Sequence, residues 1–400
     1  MSELNYEKRL LSRLVAIKTI TGNSEAYQEI ASFISNELNQ LGLKVDIFDG
    51  EAEAKDNVAR PNIVSRLDAG APQTLGILTH YDVVPPGSGW DTDPFNLVIK
   101  TVDDEARAIG RGAADDKGCI CATIAAIKYL VENNLPLKWN ILFMCTADEE
   151  IGGMYGAGYL ARNRLVDMDA LVVLDSSSMG LVIGTSGIMH GDIEVLGRQG
   201  HAGYIFSSQN ALHKAITFLN VFLEFTNHRA LKLSNLKNPA GIPIPQVWGR
   251  YSLTWIKTDT MTYNIIPGRV TIGFDMRLLP EEDPNDAIAE LKSYFEMTKY
   301  RLSMDNVFLR IRRAFPGYMT DKENPFVKKA LKAALASTGR TLPLIGMLGG
   351  NDGGWFRDYN IPIISFGAWD ERSNIHGPNE SVSLKKIEEL KNFIIRLVTD

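Results

Sequence analysis

The sequence predicts an α/β protein with a mostly parallel, mixed sheet flanked by helices, into which a smaller α+β domain is inserted. Three observations carry this. The first 180 or so of the 400 residues alternate helical and strand patterns, the rhythm changes after Gly187, and the alternating pattern resumes towards the C-terminus. At 400 residues a single hydrophobic core usually splits, so two domains are expected. The 42 Lys and Arg residues against 48 Asp and Glu give a net charge of −6, which removes the bulk attraction that nucleic acid or an anionic membrane would exert. A small molecule is the expected partner. No run approaches the roughly 20 apolar residues of a membrane span, and the opening Met-Ser-Glu-Leu-Asn-Tyr-Glu-Lys is too polar for a signal peptide, so a soluble cytoplasmic protein is expected. Cys119, Cys121 and Cys145 are too few for a disulfide framework or a four-thiolate zinc site and read as buried apolar thiols.

Residues 5–18 and 24–42 space their apolar side chains by three and four, as two helices do; the second follows a plausible Thr21-Gly-Asn-Ser24 cap and stops at Gly42. Short apolar runs at 62–67, 74–80, 139–147 and 170–175 predict strands, with a helix over 116–132 between the second and third. Beyond Gly187, strands over 191–197, 251–257 and 270–277 and helices over 208–225 and 284–297 follow a β-α-β-β-α order, a ferredoxin-like antiparallel sheet with two helices on one face. The stretch 235–249 reads as a long exposed loop. Strands over 308–312 and 361–366 and helices over 325–335 and 383–398 return to the first pattern. The expected division is therefore 1–186 with 300–400 as one domain and 187–299 as the insert.

In open α/β sheets ligands lie beyond the carboxyl ends of the strands. Four successive elements aim acidic residues there: the strand ending at Thr79 runs into His80-Tyr-Asp82, the loop before the next helix carries Asp115, the strand ending at Ala147 runs into Asp148-Glu149-Glu150, and the strand ending at Leu174 runs into Asp175. After the last apolar strand, His376 could bring a second imidazole to the same rim. Carboxylates crowded this closely raise one another's pKa values unless a cation resolves the repulsion. Two imidazoles with several carboxylates suit Zn²⁺, or a mix of Zn²⁺, Mn²⁺ and Co²⁺, better than the oxygen-only shells of Ca²⁺ and Mg²⁺. The ligand count fits two ions sharing Asp115, at the about 3.5–4 Å separation at which a shared water is activated and a carbonyl polarised. In His80-Tyr-Asp82 the first and third residues point the same way on an extended segment, so Asp82 can hold the second imidazole nitrogen. Glu149 and Glu150 are adjacent and diverge; one can ligate while the other acts as general base. A strand-end Asp is ordinarily a turn or cap residue, and an Asp-Glu-Glu run a solvated loop; only their joint placement argues otherwise. His190, His213 and His228 read as packing or surface residues.

One motif points to another class of protein. Gly156-Ala-Gly158-Tyr-Leu-Ala161 matches a dinucleotide fingerprint, with Asp175 placed 19 residues on as a ribose acid would be. The fingerprint belongs directly after a strand, whereas here Asp148, Glu149 and Glu150 intervene and would repel a pyrophosphate. An NAD-dependent oxidoreductase is the remote alternative, and a non-catalytic metal-binding or regulatory protein on the same fold the nearer one.

Taken together, His80-Tyr-Asp82-Val-Val-Pro, Gly110-Arg-Gly-Ala-Ala-Asp115-Asp-Lys-Gly118, Asp148-Glu149-Glu150-Ile-Gly-Gly, Arg198-Gln-Gly-His201-Ala, Asn264-Ile-Ile-Pro-Gly and Ile375-His376-Gly-Pro-Asn-Glu380 resemble the two-metal peptidases that include aminoacylase, carboxypeptidase G, acetylornithine deacetylase, succinyl-diaminopimelate desuccinylase and related dipeptidases. The resemblance implies a zinc-exopeptidase-like catalytic domain with an inserted lid that mediates homodimerisation. It implies that His80 and Asp175 hold one metal, Glu150 and His376 the other, and that Asp115 bridges. Glu149 would be the general base, Asp82 would orient His80, and His201 would reach the partner subunit's site to stabilise an oxyanion. Asn264 and Arg277 would grip a substrate carboxylate, with Gly350 and Asn351 on a substrate-contacting loop. It further implies two Zn²⁺ per subunit, with Co²⁺ or Mn²⁺ substituting, an N-acyl amino acid or short peptide as substrate, and a cis peptide after Asp115. Two positions depart from the family: Asp116 stands where many relatives have Met, and Asp175 where desuccinylases usually carry Glu and dipeptidases often Asp.

Overall fold

The computed structural model describes residues 4–400, so the first three residues of the polar N-terminal stretch lie outside the described residues. The chain divides into two compact units, one of residues 1–184, 320–345 and 351–400 and one of residues 185–319 and 346–350. Among the described residues no helix is long and apolar enough to cross a membrane.

In the larger unit the sheet runs, in order, Lys44–Asp49, Pro61–Leu67, Asn140–Thr146, Thr74–His80, Ala170–Val173, Ile363–Ser365 and Leu181–Thr185. Its centre is parallel: Thr74–His80 pairs in parallel with both Asn140–Thr146 and Ala170–Val173, and the latter with Ile363–Ser365. The flanking strands are antiparallel. Six of the seven residues of Thr74–His80 are buried, as expected of a strand covered on both faces, where apolar runs replace alternation. The helices are set by their caps. Asn23 accepts the Ala26 N–H at 3.2 Å to open Ser24–Gln40, which buries Tyr27, Ile30, Ile34 and Leu38 along one stripe. The helix Lys117–Glu132 is buried along most of its length, Cys119 and Cys121 included. Because parallel strands all end on one side, His80, Asp148–Glu150 and Asp175 emerge on the same rim.

The smaller unit has a four-stranded antiparallel sheet in the order Arg250–Thr258, Arg269–Leu278, Gly187–Leu196, Val307–Phe315. Met189, Ile193 and Val195 alternate inward and, with Val270, Ile272 and Phe274, pack against Phe218 and Phe222 of Ala211–Phe222 and Leu291 and Phe295 of Pro284–Leu302. Truncating one of these phenylalanines to alanine would cost about 3–5 kcal/mol.

The smaller unit extends further along the chain than the sequence suggests. Val307–Phe315, expected to rejoin the first domain after residue 299, pairs instead with Gly187–Leu196 and completes a β-α-β-β-α-β unit. Its Val307, Leu309 and Ile311 alternate with exposed Phe308, Arg310 and Arg312, the period of a half-solvated edge strand rather than of a buried parallel one. The stretch 235–249, expected as a loop, lies largely within a hairpin in which Leu233–Lys237 pairs with Gln246–Trp248. The expected single helix over 208–225 is two, Ala211–Phe222 and Glu224–Ala230.

Candidate metal centre

The larger unit gathers two groups of potential ligands on its rim: His80, Glu149 and Asp175, and Asp115, Glu150 and His376. In each group one ligand atom per residue lies within 4.8 Å of the others. Asp115 touches both imidazoles with different oxygens, Oδ1 at 3.0 Å from His80 Nε2 and Oδ2 at 3.2 Å from His376 Nε2. Glu150 Oε2 stands 3.0 Å from the same His376 nitrogen.

Each side chain has a local cause for its position. His80 ends its strand, and its Nδ1 lies 3.1 Å from the Asp82 carbonyl oxygen and 3.5 Å from the Asp82 carboxylate, which leaves Nε2 to face Asp115. The Asp82 carboxylate does more than orient His80. It accepts the N–H of Glu149 at 3.0 Å and of Glu150 at 3.3 Å, and the Thr21 hydroxyl at 3.1 Å, so it fixes the whole acidic turn. Asp148 begins that turn in the left-handed region at φ 62, held by buried contacts to the Arg60 guanidinium and the Tyr27 hydroxyl. The peptide between Asp115 and Asp116 is cis, and the Asp116 carboxylate accepts the His80 N–H at 3.3 Å.

Burial and the Asp115 charge push the Asp175 carboxyl well above the usual range, and burial together with the Asp175 charge does the same to Glu149. Neither carboxylate accepts a hydrogen bond among the described residues. Burial also raises Glu150, opposed by its contact with His376. Hydrogen bonds to Asp115 and Glu150 raise the His376 imidazole to about 10; for His80, burial favours the neutral ring but Asp115 and Asp82 outweigh it. Asp115, though buried, is held below the usual range by the two imidazoles. Two imidazoles and four carboxylates, two of them without donors, therefore fit a pair of divalent cations of the zinc type: the cations would supply the positive charge that protons supply in their absence.

Of the other residues the sequence singles out, Asn351 lies in the larger unit with its amide engaged. Its Nδ2 donates to the Asp175 carbonyl at 3.2 Å and the Ser365 hydroxyl at 3.0 Å, and its Oδ1 accepts the Gly353 N–H at 3.2 Å. It thus braces the segment that carries Asp175. His201, Asn264, Arg277 and Gly350 belong to the smaller unit. His201 and Asn264 are exposed neighbours there, joined by the pairing of Gly200–His201 with Ile265–Ile266 and by the Ala202 N–H donating to the Asn264 carbonyl at 2.9 Å. Arg277 Nε donates to Asp275 Oδ1 at 2.8 Å, while Asp275 Oδ2 stands 2.8 Å from His190 Nε2. Gly350 passes so close to its neighbours that a Cβ would sit 3.0 Å from the Ser186 carbonyl oxygen. The glycines of the fingerprint-like segment serve packing: a Cβ on Gly156 would meet the Ala147 carbonyl oxygen at 1.9 Å.

Sequence reasoning missed Asp352, which is buried near Thr146 Oγ1 at 3.4 Å and raised by burial to about 7, and the bracing pairs Arg60–Asp148 and Arg111–Glu380. Arg111, Asp148 and Glu380 lie inside the quoted motifs, but nothing in linear spacing reveals partners 88 or 269 positions away.

Residues 76–400 match the family model described as Peptidase family M20/M25/M40. The chain belongs to this family. It is 30% identical over 356 residues to an uncharacterised metallohydrolase of Methanocaldococcus jannaschii, covering 84% of this chain and 82% of that one. It is 27% identical over 330 residues to a succinyl-diaminopimelate desuccinylase of Nitratiruptor sp., covering 80% and 82%. Among solved structures, an M20 metallo-carboxypeptidase of Sulfolobus solfataricus superposes with a TM-score of 0.81 over 98% of both chains at 18% identity. The resemblance stated from the motifs is thereby borne out, as is the mixed α/β fold, and the chain is an M20 hydrolase acting on carbon–nitrogen bonds.

Proposed function

We propose that this M20 hydrolase cleaves an amide bond next to a free carboxylate in a small substrate, an N-acyl amino acid, a dipeptide or a compound of the N-succinyl-diaminopimelate type. The observation that carries the reading is the Asp115 carboxylate set between two imidazoles, with Glu149 near His80 and Asp175 and accepting no hydrogen bond among the described residues. His80 and Asp175 would hold one cation, Glu150 and His376 the other, and Asp115 both. Zn²⁺ is the expected ion, with Co²⁺ or Mn²⁺ substituting. When bound, the pair of cations would acidify a water and polarise the scissile carbonyl. Glu149, its carboxylate aimed by the Asp82-anchored turn, takes the proton from the attacking water and returns it to the leaving amine. The raised proton affinity that burial and Asp175 give Glu149 suits a group that must accept a proton and hand it on.

The smaller unit is proposed as a lid that pairs two chains, with Asn264 and Arg277 engaging the substrate carboxylate and Gly350 and Asn351 flanking it. The guanidinium fork of Arg277 matches a planar carboxylate. In favour of a homodimer, the segment after His201 exposes Tyr204, Ile205 and Phe206 at 60%, 69% and 82%, three consecutive large apolar side chains of the kind a partner surface covers. Gly203 N–H donates to His201 Nδ1 at 3.0 Å, so the neutral ring carries its proton on Nε2, a donor suited to a developing oxyanion. The test is to measure bound metal and hydrolysis of N-acyl-amino acids, dipeptides and N-succinyl-diaminopimelate after loading with Zn²⁺, Co²⁺ or Mn²⁺. About two ions per chain and turnover within this panel are expected; a folded chain that binds fewer than two ions would sink the two-metal reading.

A further inference from the structure

Arg111 and Glu380 are buried to 1% and 0% exposure and meet at 2.5 Å, from opposite ends of the larger unit's sequence. What surrounds the pair gives it a role. Glu380 Oε1 accepts the N–H of Ala114 at 2.9 Å and of Asp115 at 3.1 Å. Arg111 Nη2 donates to the His376 carbonyl at 3.1 Å, and the Trp90 ring covers the guanidinium at 5.3 Å. One buried ion pair therefore holds the backbone of Asp115 on one side and of His376 on the other. A buried ion pair is a weak stabiliser, because desolvation offsets much of its attraction; what it can fix is position.

We infer that the Arg111–Glu380 pair is a positioning device that presets the spacing of Asp115 and His376 for the cation they would share. This rests on the two-metal reading above. The other cation's ligands depend on it less, since His80 and Asp175 are placed by parallel strands in fixed register, Leu78 opposite Val173. The pair reaches that side less directly, through Asp115 and through Asp116, whose carboxylate accepts the His80 N–H at 3.3 Å. Losing the pair should thus weaken one ion selectively, as loss of groups that orient ligands typically costs 10–100-fold in metal affinity.

The experiment is a stepwise calorimetric titration of metal-free protein with Zn²⁺, backed by chelator competition. Glu380→Gln keeps the side-chain shape and one oxygen for the two N–H groups but removes the charge. The double variant Arg111→Met with Glu380→Leu removes both charges together, leaving neither stranded in the core, and guards against a single variant that does not fold. Wild type should bind two ions, and each variant should weaken one step by about 10–100-fold while the other stays within about threefold. Thermal unfolding of the metal-free forms verifies the fold. A general structural role would weaken both steps alike, so equal losses overturn the inference, as do two unchanged steps. Fewer than two ions on the wild type itself overturns the two-metal reading, and this inference with it.

Discussion

In the smaller unit the Arg229 guanidinium is fully buried and donates to Glu282 at 2.7 Å, to Glu290 at 2.6 Å and to the Arg277 carbonyl at 3.3 Å. Each charge of that cluster meets its opposite, and Glu282, held by Arg229, and Glu290, held by Lys232, His228 and Arg229, lie below the usual carboxylate range despite burial. On the rim of the larger unit Glu149, Glu150 and Asp175 are raised instead, each by burial and by other acids. Both clusters take charge out of water, but on the rim the acids raise one another. Matched burial fixes a fold, whereas unmatched burial needs something the chain does not supply, and so marks where chemistry happens.

The sharpest way to break that comparison is one substitution in each region. Glu149→Ala should lower turnover by about 10²–10⁴-fold, the contribution of a positioned general base, with bound metal retained and unfolding no easier than in wild type. Removing a carboxylate to which no described residue donates relieves the fold of a buried like charge. Arg229→Met leaves Glu282 and Glu290 with Lys232, and Glu290 with His228, but removes the buried cation they share; it should cost about 1–3 kcal/mol in denaturant unfolding while bound metal per folded chain stays the same. A Glu149→Ala protein with near-normal turnover, or an Arg229→Met protein as stable as wild type, would reverse the assignment of roles.

A second contrast is in pH. Asp116 and Asp352 are raised to about 7 by burial, His376 to about 10 by its acidic partners, and Glu149, Asp175 and His80 are raised as well. Between pH 5 and 7 the metal-free folded chain therefore holds more protons than the unfolded one. The stability these groups lend is present at low pH and is lost as pH rises through their folded values. Asp115, shifted the opposite way, is already ionised throughout this window and adds no slope. Metal-free protein should melt at falling temperature from pH 5 to 7, while the increment from saturating Zn²⁺ grows by a few degrees, because ligands must shed protons to bind. An increment that shrinks as pH rises would contradict the cluster's assignment as a metal site.

The fold and the centre were unequally legible. The parallel strands are readable because apolar runs such as Leu75–Leu78 and Ile141–Met144 leave little alternative, and their shared direction places His80, Glu149, Glu150 and Asp175 on one rim. Val307–Phe315 is not assignable from its own residues, because an amphipathic edge strand carries no mark of which sheet it joins; pairing with Gly187–Leu196 decides it. Roles that depend on a partner distant in sequence were out of reach. The place of Asp82 two residues on from His80 suggests a histidine orienter but not that its carboxylate also anchors Glu149 and Glu150, and nothing in the sequence around Asn351 shows that its amide holds the Asp175 carbonyl.

The smallest expected effect concerns His201, which unlike His80 and His376 has no acidic partner among the described residues. Its Nδ1 accepts the Gly203 N–H, and Nε2 has no partner among the described residues. If that donor serves the site of a second chain, His201→Ala and Glu149→Ala proteins should each be nearly inactive alone and recover when mixed. Random exchange makes half the dimers mixed, and each mixed dimer has one site with both residues intact, so recovery should approach about a quarter of wild-type activity per site under two-fold symmetry. Recovery requires the two residues to come from different chains. If they acted within one chain, every site in the mixture would still lack one of them, and no recovery after verified subunit exchange would return His201 to its own subunit or to no role at all.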